Sequence, residues 1–225
     1  MKNEGIFVDF VPDRCTVEAM AESDHLELIR AGFDAWGREL PARAQALSAF
    51  LDELKRWSRH GSLTGLRTAR ERVEAGILDS VPLADRLSDG ARLVDVGSGN
   101  GLPGLVVAVL RPRVRVVLLE PSARRAAFLR TAAAAADAAN VEVVRARVEE
   151  WITEPLDAAV SRAVFPLPEW LRIAGRLVRP GGQVFALCAP ADRPDPPSGL
   201  VNLHSHGYEL PWSGKERCLH VFTRV

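Results

Sequence analysis

Between residues 95 and 104 the chain reads Asp-Val-Gly-Ser-Gly-Asn-Gly-Leu-Pro-Gly. Glycine has no Cβ, so a run this rich in it lets backbone approach a ligand closely and take positive φ where needed. If the run joins a strand to a helix, the first N–H groups of the helix and the positive end of its dipole face the same ligand. Pro103 costs little there, since a first-turn N–H has no partner anyway. Asp95 stands immediately before the run, and Glu120 lies 19 residues beyond Gly101. A carboxylate at that place can accept from both hydroxyls of a ribose. Two basic runs border the loop. Lys55, Arg56, Arg59, Arg67, Arg70 and Arg72 face Glu71 alone, and Arg111, Arg113, Arg115, Arg124, Arg125 and Arg130 face Glu120 alone. Guanidinium forks suit phosphate, although a solvated helix face has the same composition. Metal chemistry has no support: Cys15, Cys188 and Cys218 are widely spaced and form no CxxC pair. They read as thiols of a reducing cytosol. His60 reads as a loop histidine. Asp79 either acts in a site or caps the segment at Ser80-Val81-Pro82.

The elements that must hold these residues follow from hydrophobic periodicity. Residues 1–16 read as a loose or strand-like lead. Val17 to Ser58 is helical, with Leu26, Ile29, Phe33 and Trp36 near i, i+3, i+4, i+7 spacing and Pro41 opening a second helix whose stripe ends at Trp57. Trp57 itself reads as core. Thr68 to Leu87 carries another helix or two, interrupted or started at Pro82. From Arg92 short apolar runs alternate with helical stretches. Strands are expected at 93–96, 114–119, 141–144, 156–160 and 183–187, and helices at 103–110, 122–139 and 167–177. Two last strands fall near 199–206 and 218–224. This alternation predicts an α/β fold, a mostly parallel sheet with helices on both faces and an antiparallel C-terminal strand. A helical N-terminal extension spans 1–90 and the ligand-binding domain 91–225. Asp192 to Ser198 is a loop.

At 225 residues, 47% hydrophobic and 26% charged, the chain is an ordinary globular protein. Twenty-nine basic residues balance 29 acidic ones, which excludes gripping nucleic acid by bulk charge. The balance is a cancellation: residues 1–90 carry 12 basic and 16 acidic groups, residues 91–225 carry 17 and 13. The N-terminus has no apolar core of a secretory signal, and no apolar run approaches 18 residues. A cytoplasmic protein without membrane contact is expected.

Two ligands compete for the loop. Gly99-x-Gly101-x-x-Gly104 matches the dinucleotide fingerprint, and Glu120 fits its ribose acid. The loop also resembles the Asp-x-Gly-x-Gly-x-Gly loop of class I methyltransferases, which bind S-adenosylmethionine. Asp95, the long helical lead and Arg179-Pro180-Gly181-Gly182 before the fifth strand favour the second. The resemblance then sharpens. Arg56-Trp57, Ser62-Leu63-Thr64, Ile77-Leu78-Asp79-Ser80, DVGSGNGLPG at 95–104, LLEPSARRAAFLR at 118–130, RVEEW at 147–151, SRAV at 161–164 and RPGG at 179–182 stand in order. Together they resemble the bacterial 16S rRNA guanine-N7 methyltransferase family, also called glucose-inhibited division protein B.

The resemblance implies a Rossmann-like class I methyltransferase sheet, S-adenosylmethionine as cofactor, and 16S rRNA or the 30S subunit as partner. It implies cofactor contacts from Gly97, Leu102, Val148, Glu149 and Arg162. Asp95, Gly99, Gly101 and Glu120 join them from the chemistry of the loop. Arg56, Arg59, Arg124 and Arg125 are candidates for RNA. No catalytic acid–base pair stands out. A monomer is favoured, with the oligomeric state unassigned. The chain departs from the family at Ser58, Ser62, Gly76 and Cys188, which leaves open a paralogue with a small-molecule or protein acceptor, or a cofactor-binding module without catalysis.

Overall fold

The structure is a computed structural model, and it describes residues 24–59, 61, 63–189 and 195–225. The readings made for residues 1–16, for the helical start at Val17, for Cys15, His60 and Ser62, and for Asp192 to Pro194 lie outside the described residues.

Three helical segments come first. α1 spans His25–Ala35 and α2 spans Ala44–Ser58. Asp24 caps α1 by accepting from the Leu26 N–H. Pro41 does not sit in the first turn of α2, as its sequence position suggested. Its carbonyl instead accepts from the Ala44 N–H at 2.9 Å, so it shapes the turn that leads in. α3 is continuous but irregular. It begins as α-helix at Ala69–Glu71, widens to a π-helix over Arg72–Ile77, tightens to a 3₁₀ turn at Leu78–Ser80 and returns to α-helix at Val81–Ala84. Thr68 and Glu71 form a capping box at its start.

The sheet follows: β1 (Arg92–Val96), β2 (Arg115–Leu119), β3 (Val141–Val144), β4 (Leu156–Ser161), β5 (Val178–Cys188), β6 (Leu200–Glu209) and β7 (Glu216–Arg224). Between them lie α4 (Gly104–Leu110), α5 (Ala123–Ala135) and α6 (Leu167–Leu177). The order across the sheet is β3-β2-β1-β4-β5-β7-β6. The first five strands are parallel, and β7 runs antiparallel to both β5 and β6. The central strands are nearly all apolar because both faces are covered. Leu93, Leu118, Val160 and Phe185 pack with α1 to α5, while Val94, Val96, Val184 and Phe222 pack with Trp170 and Leu171 of α6. Trp57 packs edge-on against Phe128 at 5.8 Å, locking α2 to α5.

β1 is the axis of this arrangement. Its order reverses at β1 and β4, and crevices at such reversals, beyond the carboxyl ends of the strands, are where α/β folds hold ligands. The glycine loop leaves the carboxyl end of β1, Glu120 that of β2, and Arg162 that of β4.

Candidate functional site

The loop's glycines are required by its path. Gly97, Gly99 and Gly101 all have positive φ, +74°, +49° and +82°. A Cβ on Gly97 would lie 2.6 Å from the Val164 side chain, and one on Gly104 would lie 2.6 Å from Asp95 Oδ2. Gly104 therefore lets α4 start directly against the end of β1.

Two buried carboxylates hold the loop. Asp95 is 1% exposed. Its Oδ2 accepts from the Gly104 N–H at 2.9 Å, while Oδ1 is buried and has no hydrogen-bond partner among the described residues. Burial raises its pKa to about 7, against the opposing pull of the Gly104 N–H and the Arg162 charge. Glu120 is also buried. Its Oε2 accepts from the Gly99 N–H and its Oε1 from the Ser122 N–H, both at 2.9 Å. One acid thus ties the loop to the start of α5, and each oxygen keeps a further lone pair.

Beside the loop lies a cavity of about 170 Å³. Val96, Leu119, Val148, Val164 and Phe165 give it apolar walls, and Arg147 and Glu149 border it. Pockets for whole drug-sized ligands run to roughly 300–1,000 Å³, so this one suits a single ring system whose remainder extends along the loop. A larger cavity of about 470 Å³, lined by Arg86, Asp157 and Arg179, opens at the opposite end of the strands, away from the loop.

The structure gathers Asp95, Gly97, Gly99, Gly101 and Glu120 around one strand end, with Val148 and Glu149 facing the same space. Leu102 belongs to the loop, but its side chain is core, packed beneath Gly76 of α3. Arg162 turns toward α3. Its Nη1 donates to the Ala75 carbonyl at 2.9 Å and lies 3.4 Å from Asp79 Oδ2. Asp79 does not cap the Ser80 segment: it is buried, and Tyr208 Oη donates to its Oδ1 at 2.9 Å. Sequence reading left Asp79 between two roles and missed Tyr208, because their meeting depends on where β6 lands. It also missed Ala163, whose φ of +58° turns the chain between inward Arg162 and outward Val164. Such strain in a non-glycine residue is characteristic of functional loops.

The arginine candidates lie on the exposed side. Arg56 and Arg59 stand at the end of α2, where Arg56 pairs with Glu53. Arg124 and Arg125 are in the first turn of α5, and the Arg124 guanidinium covers Gly61. Since α2 and α5 pack together, the two clusters meet. Of the positions that depart from the family pattern, Ser58 back-bonds to the Leu54 carbonyl and Cys188 is the register partner of Cys218.

Comparison with known proteins decides the family. The model of the family described as rRNA small subunit methyltransferase G matches residues 43–194. The chain belongs to the rRNA small subunit methyltransferase G family. A relative of that name from Azoarcus sp. (strain BH72) is 34% identical over 200 residues, 86% of this chain and 93% of that one. Another, from Mycobacterium leprae (strain TN), is 41% identical over 149 residues, 64% of this chain and 60% of that one. Among solved structures, the O-methyltransferase from Bacillus cereus in complex with SAH superposes with a TM-score of 0.56 at 17% identity, over 79% of this chain and 91% of that one. M. jannaschii TYW2 in complex with AdoMet gives 0.53 at 13%, over 68% and 77%. At such identity the last two speak to the fold, which is that of Rossmann-like methyltransferases. The family stretch of the methyltransferase contains the glycine loop, Glu120, the cavity and Arg162; the β6–β7 hairpin lies beyond it.

Proposed function

We propose that this methyltransferase transfers a methyl group from S-adenosylmethionine to N7 of a guanine in 16S rRNA, on the 30S subunit, in the cytoplasm. Family membership carries the rRNA assignment, and rRNA methylation takes precedence over the small-molecule, protein and non-catalytic readings. The cofactor assignment rests on the cradle made by Gly97 to Gly101, Glu120 and the adjoining cavity. The nicotinamide reading gives way to family membership, and the cavity beside the loop has room for one ring system.

The residues divide the work as follows. Val148, Val164 and Phe165 wall the ring, with Glu149 at its polar edge. Glu120 takes the ribose hydroxyls on its remaining lone pairs. Gly97, Gly99, Gly101 and the backbone of Leu102 line the path of the amino-acid arm, and Asp95 balances its positive charge. S-adenosylmethionine, when bound, supplies a methyl group already activated as a sulfonium. Guanine N7 offers a lone pair and carries no proton, so no general base is needed, and the protein's task is alignment for in-line displacement. The methylated ring is cationic, so buried carboxylates near the strand ends favour the charge as it develops. Arg56, Arg59, Arg124 and Arg125 hold phosphates. The helices before residue 91 act as one unit with the sheet.

The test is calorimetry followed by transfer. Binding of S-adenosylmethionine with no binding of NAD is expected. Labelled methyl should then pass to 30S subunits from a strain lacking the modification. Binding without transfer to any RNA would overturn the proposal.

A further inference from the structure

Asp79 is one of two buried carboxylates that flank Arg162. The other, Asp95, acts on it only through charge. Asp79 receives groups from every element packed around it. Arg162 comes from the end of β4 at 3.4 Å, the Tyr208 hydroxyl from β6 at 2.9 Å, and Arg217 Nε from β7 at 3.6 Å. Glu74, within α3, adds a nearby negative charge. Tyr208 is the chain's single tyrosine, and its hydroxyl also reaches the Asp79 carbonyl at 3.3 Å. Its ring is held separately, tilted on Trp36 at 6.2 Å and stacked on His206 at 5.9 Å. The hairpin that delivers it is bolted to α3 at its tip, where Glu74 Oε1 accepts from the N–H groups of Trp212 and Ser213, each at 2.7 Å. Tyr208 and Arg217 both lie outside residues 43–194, the stretch that the family model matches.

We infer that Tyr208, seconded by Arg217, is a positioning residue for the cofactor site: it keeps the Asp79 carboxylate ionised and aimed at Arg162, so that the C-terminal hairpin sets the position of that arginine. The inference rests on Arg162 serving the cofactor, as proposed above. The physical reason is the cost of a buried carboxylate. Burial pushes Asp79 above the usual carboxylate range, while Arg162, Tyr208 and Arg217 pull it back. Arg162 is itself largely enclosed and needs its counter-charge. If Asp79 takes a proton, Arg162 loses that partner and retains only the Ala75 carbonyl as a hydrogen-bonded anchor on α3. Removing the tyrosine hydroxyl removes a hydrogen bond to the charged form only, so protonation sets in at higher pH.

The experiment is calorimetric titration of the full chain with S-adenosylhomocysteine from pH 5 to pH 9, for the parent, Tyr208→Phe, Arg217→Gln and Asp79→Asn. Parent affinity should be flat at high pH and fall as pH drops, with one component from Asp95, whose pKa is about 7, and a second from Asp79; the fall due to Asp79 is the one these variants report. In Tyr208→Phe the fall should move up by roughly one pH unit, the size of one charge-assisted hydrogen bond, with melting temperature at pH 8 nearly unchanged. Arg217→Gln should move it the same way without touching the aromatic packing. Asp79→Asn should bind weakly and lose the Asp79 component of the pH dependence, keeping only that of Asp95. Superimposable parent and Tyr208→Phe profiles, or an Asp79→Asn profile like the parent's, would overturn the inference while leaving the cofactor reading intact. A parent that binds no S-adenosylhomocysteine at any pH overturns the cofactor reading, and this inference with it. A uniform loss at all pH in Tyr208→Phe, together with a lowered melting temperature, would make the hydroxyl merely structural.

Discussion

At Gly97 two costs coincide. An alanine there must hold a left-handed backbone, at about 1–2 kcal/mol, and its methyl would press on Val164, a wall of the ring cavity. Gly97→Ala should therefore weaken S-adenosylmethionine binding by at least roughly tenfold, read by calorimetry, with smaller effect on the melting temperature. Asp95 gives a prediction of unusual sign. Its folded pKa, about 7, lies above that of the unfolded chain. The native state therefore holds a proton the unfolded state has lost, and this contribution fades as pH rises from about 4 toward 7. Asp95→Asn should gain most over the parent in melting temperature at pH 8 and little at pH 5. At pH 8 it should bind S-adenosylmethionine more weakly, because the charge that costs stability is the one proposed to serve the ligand. Asp95 and Glu120 were legible in the sequence because each stands at the end of an apolar strand run, Asp95 just before the glycines and Glu120 at the spacing of a ribose-binding acid. Tyr208 and Ala163 were not: a distant hydroxyl and a strained backbone leave no local pattern.

The helical lead is held together by a polar relay that runs from buried Arg72 and His25 to exposed Asp52. Arg72 Nε donates to His25 Nε2 at 3.2 Å, so His25 carries its proton on Nδ1 and donates it to Asp52 at 2.7 Å. The relay joins α1, α2 and α3, and Arg72 also donates to the Leu66 and Arg67 carbonyls. Burial, the largest effect, lowers the His25 pKa below 6.5, and the charges of Arg72 and Lys55 add to it. The unfolded histidine binds a proton at higher pH than the folded one. The relay's stability is thus full above about pH 6.5 and lost as pH falls through the lower folded value. The melting-temperature advantage of the parent over His25→Gln should shrink between pH 7 and pH 5; an advantage independent of pH would contradict the relay. The strands and most helices could be read from periodicity to within a few residues. α3 could not. Its π and 3₁₀ turns answer to contacts made elsewhere, chiefly Arg162 on the Ala75 carbonyl and Gly76 on Leu102. π-helical turns of this kind often accompany functional sites.

Across the molecule, zero net charge conceals an asymmetry. The packing of α2 against α5 brings Arg56 and Arg59 to the same exposed side as Arg124 and Arg125, and we propose this side as the one that meets RNA. Replacing both Arg124 and Arg125 by alanine should weaken binding to 30S subunits and reduce the slope of log affinity against log salt by about one to two. Affinity for S-adenosylmethionine should not change; an unaltered salt slope would place the RNA elsewhere. The decisive measurement is nucleoside analysis of 16S rRNA after reaction of unmodified 30S subunits with methyl-labelled S-adenosylmethionine. All of the label should be recovered as 7-methylguanosine. Label on another nucleoside, or none on rRNA while the protein binds the cofactor, would contradict the assignment.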